Sequence, residues 1–414
     1  MITITQKQDC CGCNACVQIC PKQCITMQED EEGFLYPHID RNTCVDCHLC
    51  EKTCPVLNQG KEREPLKVFA AINKDEKVRM QSSSGGIFTA LAEYVIKQGG
   101  VVFGARFDEQ WQVKHDYTET MEGLATFRGS KYVQSQIGNT FQETEQFLKA
   151  GRKVLFSGTP CQIAGLLSFL RKEYDNLLTV DFICHGVPSP MVWRRYLKEE
   201  VARQCEKNSV LNYPISEKDV RVEDISFRNK RLGWKKYSFA LTLSTTNGSG
   251  KKIQFCSYAP ITKNEYLRGF LSNVFLRPSC YSCPVKSLKS GSDITLADFW
   301  GIQSDSKFAD DKGTSALIVN TALGKYIIHG LNIDVYETSI ESVASNNRCY
   351  FKSTHKPDNR VKFMQALQKK TVVSSIIEYG KPSLKETIRF LLIQLAILLR
   401  IVTILKRICR RKNE

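Results

Sequence analysis

The sequence lacks the features of several classes of protein. Its composition, 42% hydrophobic and 24% charged, excludes collagen, a disordered tail protein and a polytopic membrane protein. Residues 1–8 contain no apolar core and no small-residue cleavage site, so we expect no secretory signal and a cytoplasmic protein. Without export, a disulfide framework is not expected, and clustered cysteines indicate metal ligands or redox groups.

Two binding signatures are also missing. The dinucleotide fingerprint G-x-G-x-x-G does not occur, so a standard Rossmann nicotinamide site is not indicated. The formal charge of +15 is not organised as a basic patch interleaved with aromatic residues. Residues 381–414 alone carry nine Lys or Arg against two Asp or Glu, which is a net +7. We therefore expect no nucleic-acid binding.

What the chain does contain is a concentration of cysteine near its N-terminus. Ten of the 18 cysteines lie within residues 10–54, and the phrase Cys-x2-Cys-x2-Cys-x3-Cys-Pro occurs there twice. This is the two-cluster bacterial ferredoxin pattern, in which the fourth cysteine of each run ligates the other cluster. The predicted ligands are Cys10, Cys13, Cys16 and Cys54 for one 4Fe–4S cluster, and Cys44, Cys47, Cys50 and Cys20 for the other.

Zinc is the main alternative, because it also binds Cys-x2-Cys pairs. A zinc ion needs four ligands and gains nothing from a run of four that is repeated with the same proline, so we prefer iron–sulfur clusters. Cys11 and Cys24 lie outside the pattern and are interpreted as small buried residues beside the clusters. The polar residues 56–66 are interpreted as a linker.

From residue 66 onward, short apolar runs alternate with amphipathic stretches. The apolar runs predict strands over residues 68–72, 101–107, 154–157 and 178–183. The amphipathic stretches predict helices over residues 87–97, 141–150, 161–172 and 191–203. This alternation predicts an α/β domain with a largely parallel or mixed sheet, whose ligands bind at the carboxyl ends of the strands.

Three loops of this domain have compositions that suit a phosphate-bearing cofactor. Small residues ahead of a helix let backbone N–H groups approach a phosphate, although a single such loop is usually only a helix cap. The three loops together favour the cofactor. The candidate residues are Ser82, Ser83, Ser84, Gly85 and Gly86, then Gly129, Ser130, Lys131 and Tyr132, and finally Gly158 and Thr159.

Four further cysteines form a second candidate metal site. Cys161 begins a predicted helix and Cys184 ends a predicted strand, while Cys280 and Cys283 form a distant Cys-x2-Cys-Pro pair. Sequence spacing leaves two interpretations open: convergence on one site, or two core thiols plus an unrelated pair. The remaining cysteines are isolated and are interpreted as structural or incidental: Cys205, Cys256, Cys349 and Cys409.

A succession of short motifs carries a family resemblance. In order, these are Ser-Ser-Gly-Gly (83–86), Gly-Ser-Lys-Tyr-Val-Gln-Ser (129–135), Ser-Gly-Thr-Pro-Cys-Gln (157–162), Cys-His-Gly-Val-Pro-Ser (184–189), Phe-Arg-Asn-Lys (227–230) with Gly233-Trp234, Cys-x2-Cys (280–283), Ala-Asp-Phe-Trp-Gly (297–301) and Lys-Gly-Thr-Ser (312–315). Over about residues 1–360, the chain resembles the coenzyme F420 hydrogenase/dehydrogenase beta-subunit family. Members of the family often have a glycine before the aspartate, whereas this chain has Ala297 before Asp298. Because alanine has less backbone freedom than glycine, we expect the Asp298 loop to differ in conformation from that of other members.

The resemblance implies an iron–sulfur flavoprotein oxidoreductase that binds FAD. It implies that Cys161, Cys184, Cys280 and Cys283 ligate a third 4Fe–4S cluster, and that the 82–86 and 129–132 loops help to hold the flavin. Electrons would pass from ferredoxin or a similar donor through the clusters to FAD and on to an organic acceptor, in members often associated with surface-polysaccharide pathways. The alternative is a non-catalytic electron-transfer subunit that docks to a partner enzyme.

Two side chains are candidates for proton delivery, or for polarising the flavin or substrate. They are His185, beside Cys184, and Lys131. A histidine next to a metal ligand more often acts as a hydrogen-bond donor behind that ligand, and this interpretation of His185 stays open. Arg228 and Lys230 belong to a basic stretch, residues 228–236, that is either solvated or binds an anionic substrate.

The C-terminal segment predicts a basic amphipathic helix. Residues 390–405 are apolar except for Gln394, Arg400 and Thr403, which is too short for a membrane span. An apolar face with a basic end favours a helix at the inner face of the plasma membrane, and the alternative is a core or oligomer helix. The expected organisation is therefore an α+β ferredoxin-like domain over residues 1–60, an α/β flavin-binding domain with a mixed sheet over 66–375, and this tail over 381–414.

Overall fold

The N-terminal cysteine region folds into two short helices beside an antiparallel hairpin. The computed structural model describes residues 1–209, 215–246, 251–302 and 306–381. The elements of this region are α1 (Ala15–Gln18), β1 (Ile25–Glu29), β2 (Leu35–Ile39) and α2 (Leu49–Thr53). The Asp30 carboxylate closes the hairpin, because it accepts hydrogen bonds from the backbone N–H groups of Glu32 and Phe34. Cysteine thiols, together with Ile2 and Ile25, make up the small core.

Helices and strands alternate through the rest of the described chain. The elements between residues 67 and 208 are β3 (Lys67–Asn73), α3 (Glu76–Gln81), α4 (Ile87–Ile96), β4 (Val101–Phe107), β5 (Val113–Thr118), α5 (Met121–Leu124), α6 (Thr140–Lys149), β6 (Val154–Ser157), α7 (Pro160–Leu170), β7 (Leu177–Phe182) and α8 (Pro190–Asn208). They are followed by β8 (Arg221–Asn229), β9 (Ser238–Thr246), β10 (Lys252–Pro260), α9 (Glu265–Leu271), β11 (Ile294–Asp298), β12 (Ser315–Val319), α10 (Ala322–Ile328), β13 (Ile333–Glu337), α11 (Ile340–Ala344), α12 (Arg360–Ala366) and α13 (Val372–Tyr379).

Eight strands of the described chain form one mixed sheet, in the order β13-β3-β12-β11-β7-β6-β4-β5. The four neighbours β11, β7, β6 and β4 are parallel, and the outer strands pair antiparallel. The central strands are buried along almost their whole length, as expected for a sheet covered on both faces. The sequence-based expectation of a mixed sheet is therefore confirmed, and strands 101–107 and 154–157 have the bounds predicted for them.

A second sheet was not expected from the alternating pattern. Strands β8, β9 and β10 form a three-stranded antiparallel meander. Its middle strand, β9, is buried from Ser238 to Thr245 because it packs on the aromatic side of α8. Trp193 and Tyr196 of that helix meet Phe227 and Phe239 of the sheet in the largest hydrophobic cluster.

The N-terminal region is attached to the rest of the chain by buried polar contacts. Arg360 forms an ion pair with Glu32 of the β1–β2 turn, and the two side chains are only 6% and 13% exposed. The Gln18 amide oxygen accepts hydrogen bonds from the backbone N–H groups of Phe141 and Gln142, at the start of α6. Residues 56–66, predicted as a linker, contain no helix or strand. They are nevertheless fixed, since Arg63 donates to the carbonyls of Leu288 and Ser292.

The predicted amphipathic helix lies outside the described residues, which end at Lys381. Within the described ranges, no helix is long and apolar enough to cross a membrane.

Candidate redox site

The repeated cysteine phrase produces a repeated local structure. In each run, the residue after the second cysteine, Asn14 or His48, adopts a left-handed backbone conformation with φ of 64° or 58°. A short helix then begins and carries the third cysteine, Cys16 in α1 and Cys50 in α2. The left-handed residue reverses the chain between the second and third thiols. Both runs can therefore curl around a compact ligand.

The structure brings the predicted N-terminal ligands together in two groups. Cys20, Cys44, Cys47 and Cys50 line one cavity, which Cys24 also borders. In the other group, burial raises the pKa of Cys16 to about 12, and the neighbouring thiols of Cys10 and Cys54 add to the effect. Cys13 likewise has Cys16 and Cys10 among its charged neighbours. Each group thus combines three cysteines of one run with the fourth cysteine of the other.

The thiols of Cys20, Cys44, Cys47 and Cys50 border a cavity. In the described part of the chain, no group of three or more His, Cys, Asp or Glu side chains is placed to hold a metal ion. A 4Fe–4S cluster is held by four thiolates, and each iron corner takes one of them, so its ligands surround a body instead of converging on one atom. A cavity bordered by cysteines fits such a cluster. Cys11 and Cys24 are both buried beside these groups, as the sequence predicts.

The four later cysteines also meet, at the carboxyl end of the central strands. Cys161 lies in the first turn of α7 and Cys184 follows β7. Burial raises the pKa of the Cys184 thiol well above its usual range, and its neighbours include Cys161, Cys280 and Cys283. The backbone N–H of Val187 lies 3.4 Å from the Sγ of Cys280, and Lys286 Nζ donates to the Cys184 carbonyl at 2.7 Å. Of the two interpretations left open by spacing, the geometry is that of convergence.

Two cysteines outside the predicted ligand sets connect to this inner group. Cys11 and Cys161 pack in the same hydrophobic cluster, and each is an electrostatic neighbour of the other, which joins the N-terminal region to the inner group. Cys349, which is isolated in the sequence and was interpreted as structural or incidental, lies beside the inner group: its Sγ is 3.7 Å from Nδ1 of His185, and it is an electrostatic neighbour of Cys283. No spacing pattern marks Cys349, because the chain returns to the site from a distant loop.

His185 is held between two partners. Its Nε2 lies 2.6 Å from Oδ1 of Asn273, and its Nδ1 faces the Cys349 thiol. Because an amide oxygen accepts hydrogen bonds, this contact assigns the ring proton to Nε2. Both nitrogens are therefore engaged inside the protein, and the ring packs edge-on against Phe270.

The three candidate flavin loops lie side by side. The backbone N–H of Ser130 donates to Ser83 Oγ at 2.6 Å, which joins the first loop to the second. Gln162 Nε2 donates to Ser135 Oγ at 2.9 Å, which joins the third loop, containing Gly158 and Thr159, to the residues after the second. Gly129 has φ of 79°, and a side chain there would meet nothing within 4 Å, so the surface at the second loop is open.

Several polar groups of these loops are already used within the protein. Ser82 Oγ donates to the Val78 carbonyl and Ser84 Oγ to the Thr314 carbonyl. Lys131 Nζ donates to the carbonyls of Arg128 and Gly129, and burial lowers the pKa of Lys131 to about 7. Tyr132 stacks on Phe270 with ring centroids 4.6 Å apart.

Arg228 and Lys230 are not solvated; they are 7% and 6% exposed. Lys230 Nζ donates to the carbonyls of Arg79, Ser84 and Lys312, so it ties the first loop to the β12 side of the sheet. Arg228 pairs with Asp298, and its guanidinium lies 4.3 Å from the centre of the Tyr237 ring. The Nε and Nη2 atoms of Arg228 are buried, and no group of the described residues forms a hydrogen bond with them.

Two residues complete this region. Ala297 pairs with Ala316 in regular β11–β12 register, so Asp298 ends an ordinary strand despite the departure from glycine.

His115 was missed by the sequence reasoning, because a single histidine in a strand carries no signal. It is buried beside Gly158 and donates from Nε2 to the Ser157 carbonyl, and among the described residues its Nδ1 has no hydrogen-bond partner. Burial lowers the pKa of His115 to about 4.

Known proteins similar to this chain give three kinds of match. Family models describing the coenzyme F420 hydrogenase/dehydrogenase beta subunit match residues 68–141 with the N-terminal part and residues 151–342 with the C-terminal part. A 4Fe–4S dicluster domain model matches residues 9–58. The chain is 22% identical over 197 residues to an uncharacterized protein of Methanocaldococcus jannaschii, covering 41% of this chain and 54% of that protein.

Two further proteins are similar to this chain, one over a short N-terminal segment of sequence and one in three-dimensional structure. A 7Fe ferredoxin of Hydrogenibacillus schlegelii is 43% identical over 42 residues, which is 10% of this chain and 47% of the ferredoxin. The chain thus spans about half the length of these curated relatives. A chain of the F420-reducing NiFe hydrogenase complex from Methanosarcina barkeri aligns with a TM-score of 0.43 and 17% identity, over 77% of this chain and 91% of that one.

The two beta-subunit models together cover more than half of the sequence, and the dicluster model covers the repeated cysteine runs. The chain belongs to the coenzyme F420 hydrogenase/dehydrogenase beta-subunit family and carries a 4Fe–4S dicluster domain at its N-terminus.

Proposed function

We propose that this protein is an iron–sulfur flavoprotein oxidoreductase that takes electrons from ferredoxin or a similar donor and reduces an organic acceptor. The observation that carries the proposal is the proximity of three groups of four cysteines, in which Cys11 of the N-terminal region packs in the same cluster as Cys161 of the inner group. When bound, 4Fe–4S clusters exchange single electrons and FAD exchanges one or two, so together they couple a one-electron donor to a two-electron acceptor.

The residues present fit three clusters. Cys10, Cys13, Cys16 and Cys54 would hold the first, Cys20, Cys44, Cys47 and Cys50 the second, and Cys161, Cys184, Cys280 and Cys283 the third. Backbone N–H groups already point at ligand sulfurs, from Ile2 to Cys50 Sγ at 3.3 Å and from Val187 to Cys280 Sγ at 3.4 Å. Such hydrogen bonds stabilise a thiolate.

The residues also fit a phosphate-bearing flavin. Arg228 keeps two donor atoms buried and unpaired, and a buried donor without a partner costs free energy unless a ligand satisfies it. A phosphate is the partner that a guanidinium binds best. Ser82–Gly86, Gly129–Tyr132, Gly158 and Thr159 would border the ligand, with the open surface at Gly129 as the approach.

Lys131 is the group best suited to move a proton at this site. Burial lowers the pKa of Lys131 to about 7, so its Nζ exchanges a proton near neutral pH. His185 is a weaker candidate, because Asn273 and Cys349 occupy both of its nitrogens. We assign His185 to orienting the Cys184 segment, and Lys131 to proton delivery.

The second candidate function is a non-catalytic electron-transfer subunit that docks to a partner oxidoreductase. Membership of a family of beta subunits favours it. Turnover by the isolated protein separates the two: an oxidoreductase of the first kind reduces an acceptor alone, whereas a transfer subunit reduces one only after its partner is added.

Anaerobic reconstitution tests the proposal. We expect about twelve irons and one FAD per chain, from three four-iron clusters. The reconstituted protein is then reduced with dithionite and supplied with acceptors, including precursors of surface polysaccharides. About eight irons would contradict the inner cluster, and absence of flavin would contradict the assignment as a flavoprotein.

We assign residues 381–414 to peripheral contact with the inner face of the plasma membrane.

A further inference from the structure

Arg277 is a cation buried between two groups of cysteines. Its side chain is 0% exposed, and it lies just before the Cys280–Cys283 pair. We propose that Arg277 is the shared counter-cation of two clusters, the one bound through Cys10 and the one bound through Cys280, and that its charge raises their reduction potentials. This inference rests on the proposed function only in requiring that both clusters be present.

On one side, the guanidinium holds Cys10. Arg277 Nε donates to the Cys10 carbonyl at 2.8 Å, and Nη2 lies 3.6 Å from the Cys10 sulfur. Nη2 also donates to the Leu35 carbonyl at 2.9 Å, and Nη1 donates to Oε1 of Gln134 at 3.0 Å. The positive charge is therefore fixed against a ligand of the N-terminal cluster by four contacts, and is not free to rotate away.

On the other side, the backbone of Arg277 holds Cys280. The Cys280 N–H donates to the Arg277 carbonyl at 2.9 Å, and the Arg277 N–H donates to the Val187 carbonyl at 3.0 Å. Val187 in turn directs its N–H at the Cys280 sulfur. One residue thus spans both groups of cysteines, with its side chain on the first and its main chain on the second.

The charge of Arg277 has no counter-ion within the described part of the chain. Among the described residues, no carboxylate forms an ion pair with it; the guanidinium instead lies over the rings of Tyr36 and Phe34, at 4.3 and 5.4 Å. An isolated buried cation is costly unless something of opposite charge compensates it. The neighbouring groups that can carry negative charge are cysteine ligands, which do so as thiolates; the Sγ of Cys10 lies 3.6 Å from Nη2.

A cluster with four thiolate ligands carries negative charge, and reduction adds another electron to it. A buried cation therefore stabilises the reduced form more than the oxidised form. Removing the charge should lower the reduction potential of the Cys10 cluster, and to a smaller extent that of the Cys280 cluster, whose contact with Arg277 is through the main chain. A purely structural role would instead change cluster content and leave the potential of retained clusters unmoved.

The test is a redox titration of the full-length reconstituted chain, followed by electron paramagnetic resonance. For Arg277→Gln and Arg277→Met we expect the reduced-to-oxidised ratio of one cluster, at fixed applied potential, to fall at least tenfold, which is about 59 mV for a one-electron couple. Arg277→Lys keeps the charge and should shift less. The matched control is Arg360→Met, which removes another buried arginine of the same contact region.

The outcomes are distinct. Unchanged potentials in the neutral variants, or an equal shift in Arg360→Met, overturn the proposal. If neither neutral variant retains iron, Gln134→Glu places a carboxylate beside Nη1 that compensates the charge of the guanidinium, and the reduction potential must fall. An unchanged potential in Gln134→Glu also overturns the proposal. A wild-type protein that holds its clusters but reduces no acceptor fails the proposed function, and leaves the Arg277 measurement intact.

Discussion

The indole rings of Trp234 and Trp300 stack almost in parallel, with centroids 4.5 Å apart and an angle of 8° between their planes. Asp298 sits beside both, since it accepts a hydrogen bond from Trp234 Nε1 at 3.2 Å and pairs with Arg228, whose guanidinium lies 5.1 Å from the Trp300 ring centre. The end of β11 is therefore fixed to β8 by charge and by aromatic stacking together.

Arg228→Met should destabilise the protein strongly. The change leaves the Asp298 carboxylate in a site where its side chain is only 17% exposed, and an unpaired buried charge costs about 3–5 kcal/mol. Denaturant unfolding, followed by tryptophan fluorescence, measures the loss. Lys67→Met removes the exposed pair with Glu337 and should cost less than about 1 kcal/mol. Equal midpoints for the two variants would contradict the assignment.

Serine variants of the inner cysteines should lower the metal content by one cluster. For Cys161→Ser and Cys280→Ser we expect about eight irons per chain in place of about twelve. Cys205→Ser, which changes a buried thiol of α8 away from the three groups, should keep about twelve. Iron and acid-labile sulfide analysis measures the result, and zinc in stoichiometric amount would favour the alternative metal.

Gly165→Ala should disturb the cluster bound through Cys13, because Gly165 of α7 packs against that cysteine. A methyl group at this position of α7 would lie 2.9 Å from Cβ and 3.0 Å from Sγ of Cys13, so the cysteine must move. Overpacking of this kind costs about 1–3 kcal/mol. We expect a lower iron content with unchanged secondary structure by circular dichroism, whereas Ser168→Ala on the same helix should load fully. Full iron loading in Gly165→Ala would refute the contact.

The stability of the protein should depend on pH through His115. Burial lowers the pKa of His115 from 6.5 to about 4, so between these values the unfolded chain binds a proton that the folded chain does not. Stability is therefore lost as pH falls from 6.5 to 4, by up to about 1.4 kcal/mol per pH unit.

His115→Gln should flatten this part of the pH profile, and exposed His329→Gln should not. The quantity to compare is the difference between variant and wild type, because burial raises the pKa of Asp181 to about 6 and gives a slope of opposite sign. Parallel profiles for His115→Gln and wild type would show that His115 is not the titrating group.

Truncation after Lys381 tests the membrane assignment of the tail. The cut keeps the contact of Asn359 Nδ2 with the Lys381 carbonyl, so clusters and flavin should be retained. Full-length protein should sediment with anionic vesicles and the truncated chain should not, because acyl burial and anionic lipid together hold such a helix. Equal sedimentation of the two chains, or none by either, would rule out the membrane contact.

The parts of the molecule that sequence predicts best are those whose signal is local. The cysteine phrase carries its own spacing, so the grouping of Cys20 with the Cys44 run follows from reach alone. Strands β4 and β6 are apolar along their length because both faces of the sheet are covered, and their bounds were predicted to the residue.

What could not be predicted depends on chain segments that are far apart. Cys349 meets His185 across a separation of 164 residues, and nothing in either neighbourhood marks the partner. Arg228 and Lys230 look like a solvated basic stretch because composition does not reveal burial. Only the register of β8 beside β9, with Asp298 opposite, shows that these charges are interior.

Arg360 and Arg277, the buried arginines that contact residues 1–40, limit how a gene for such a chain can be split in evolution. Arg360 takes its ion pair from Glu32, and Arg277 takes two carbonyl acceptors from Cys10 and Leu35, all within the first 40 residues. Deleting those residues removes the counter-ion of Arg360 and two carbonyl acceptors of Arg277. A gene split between the two parts would therefore have to encode an obligate heterodimer, rather than a shuttling ferredoxin and a free-standing enzyme.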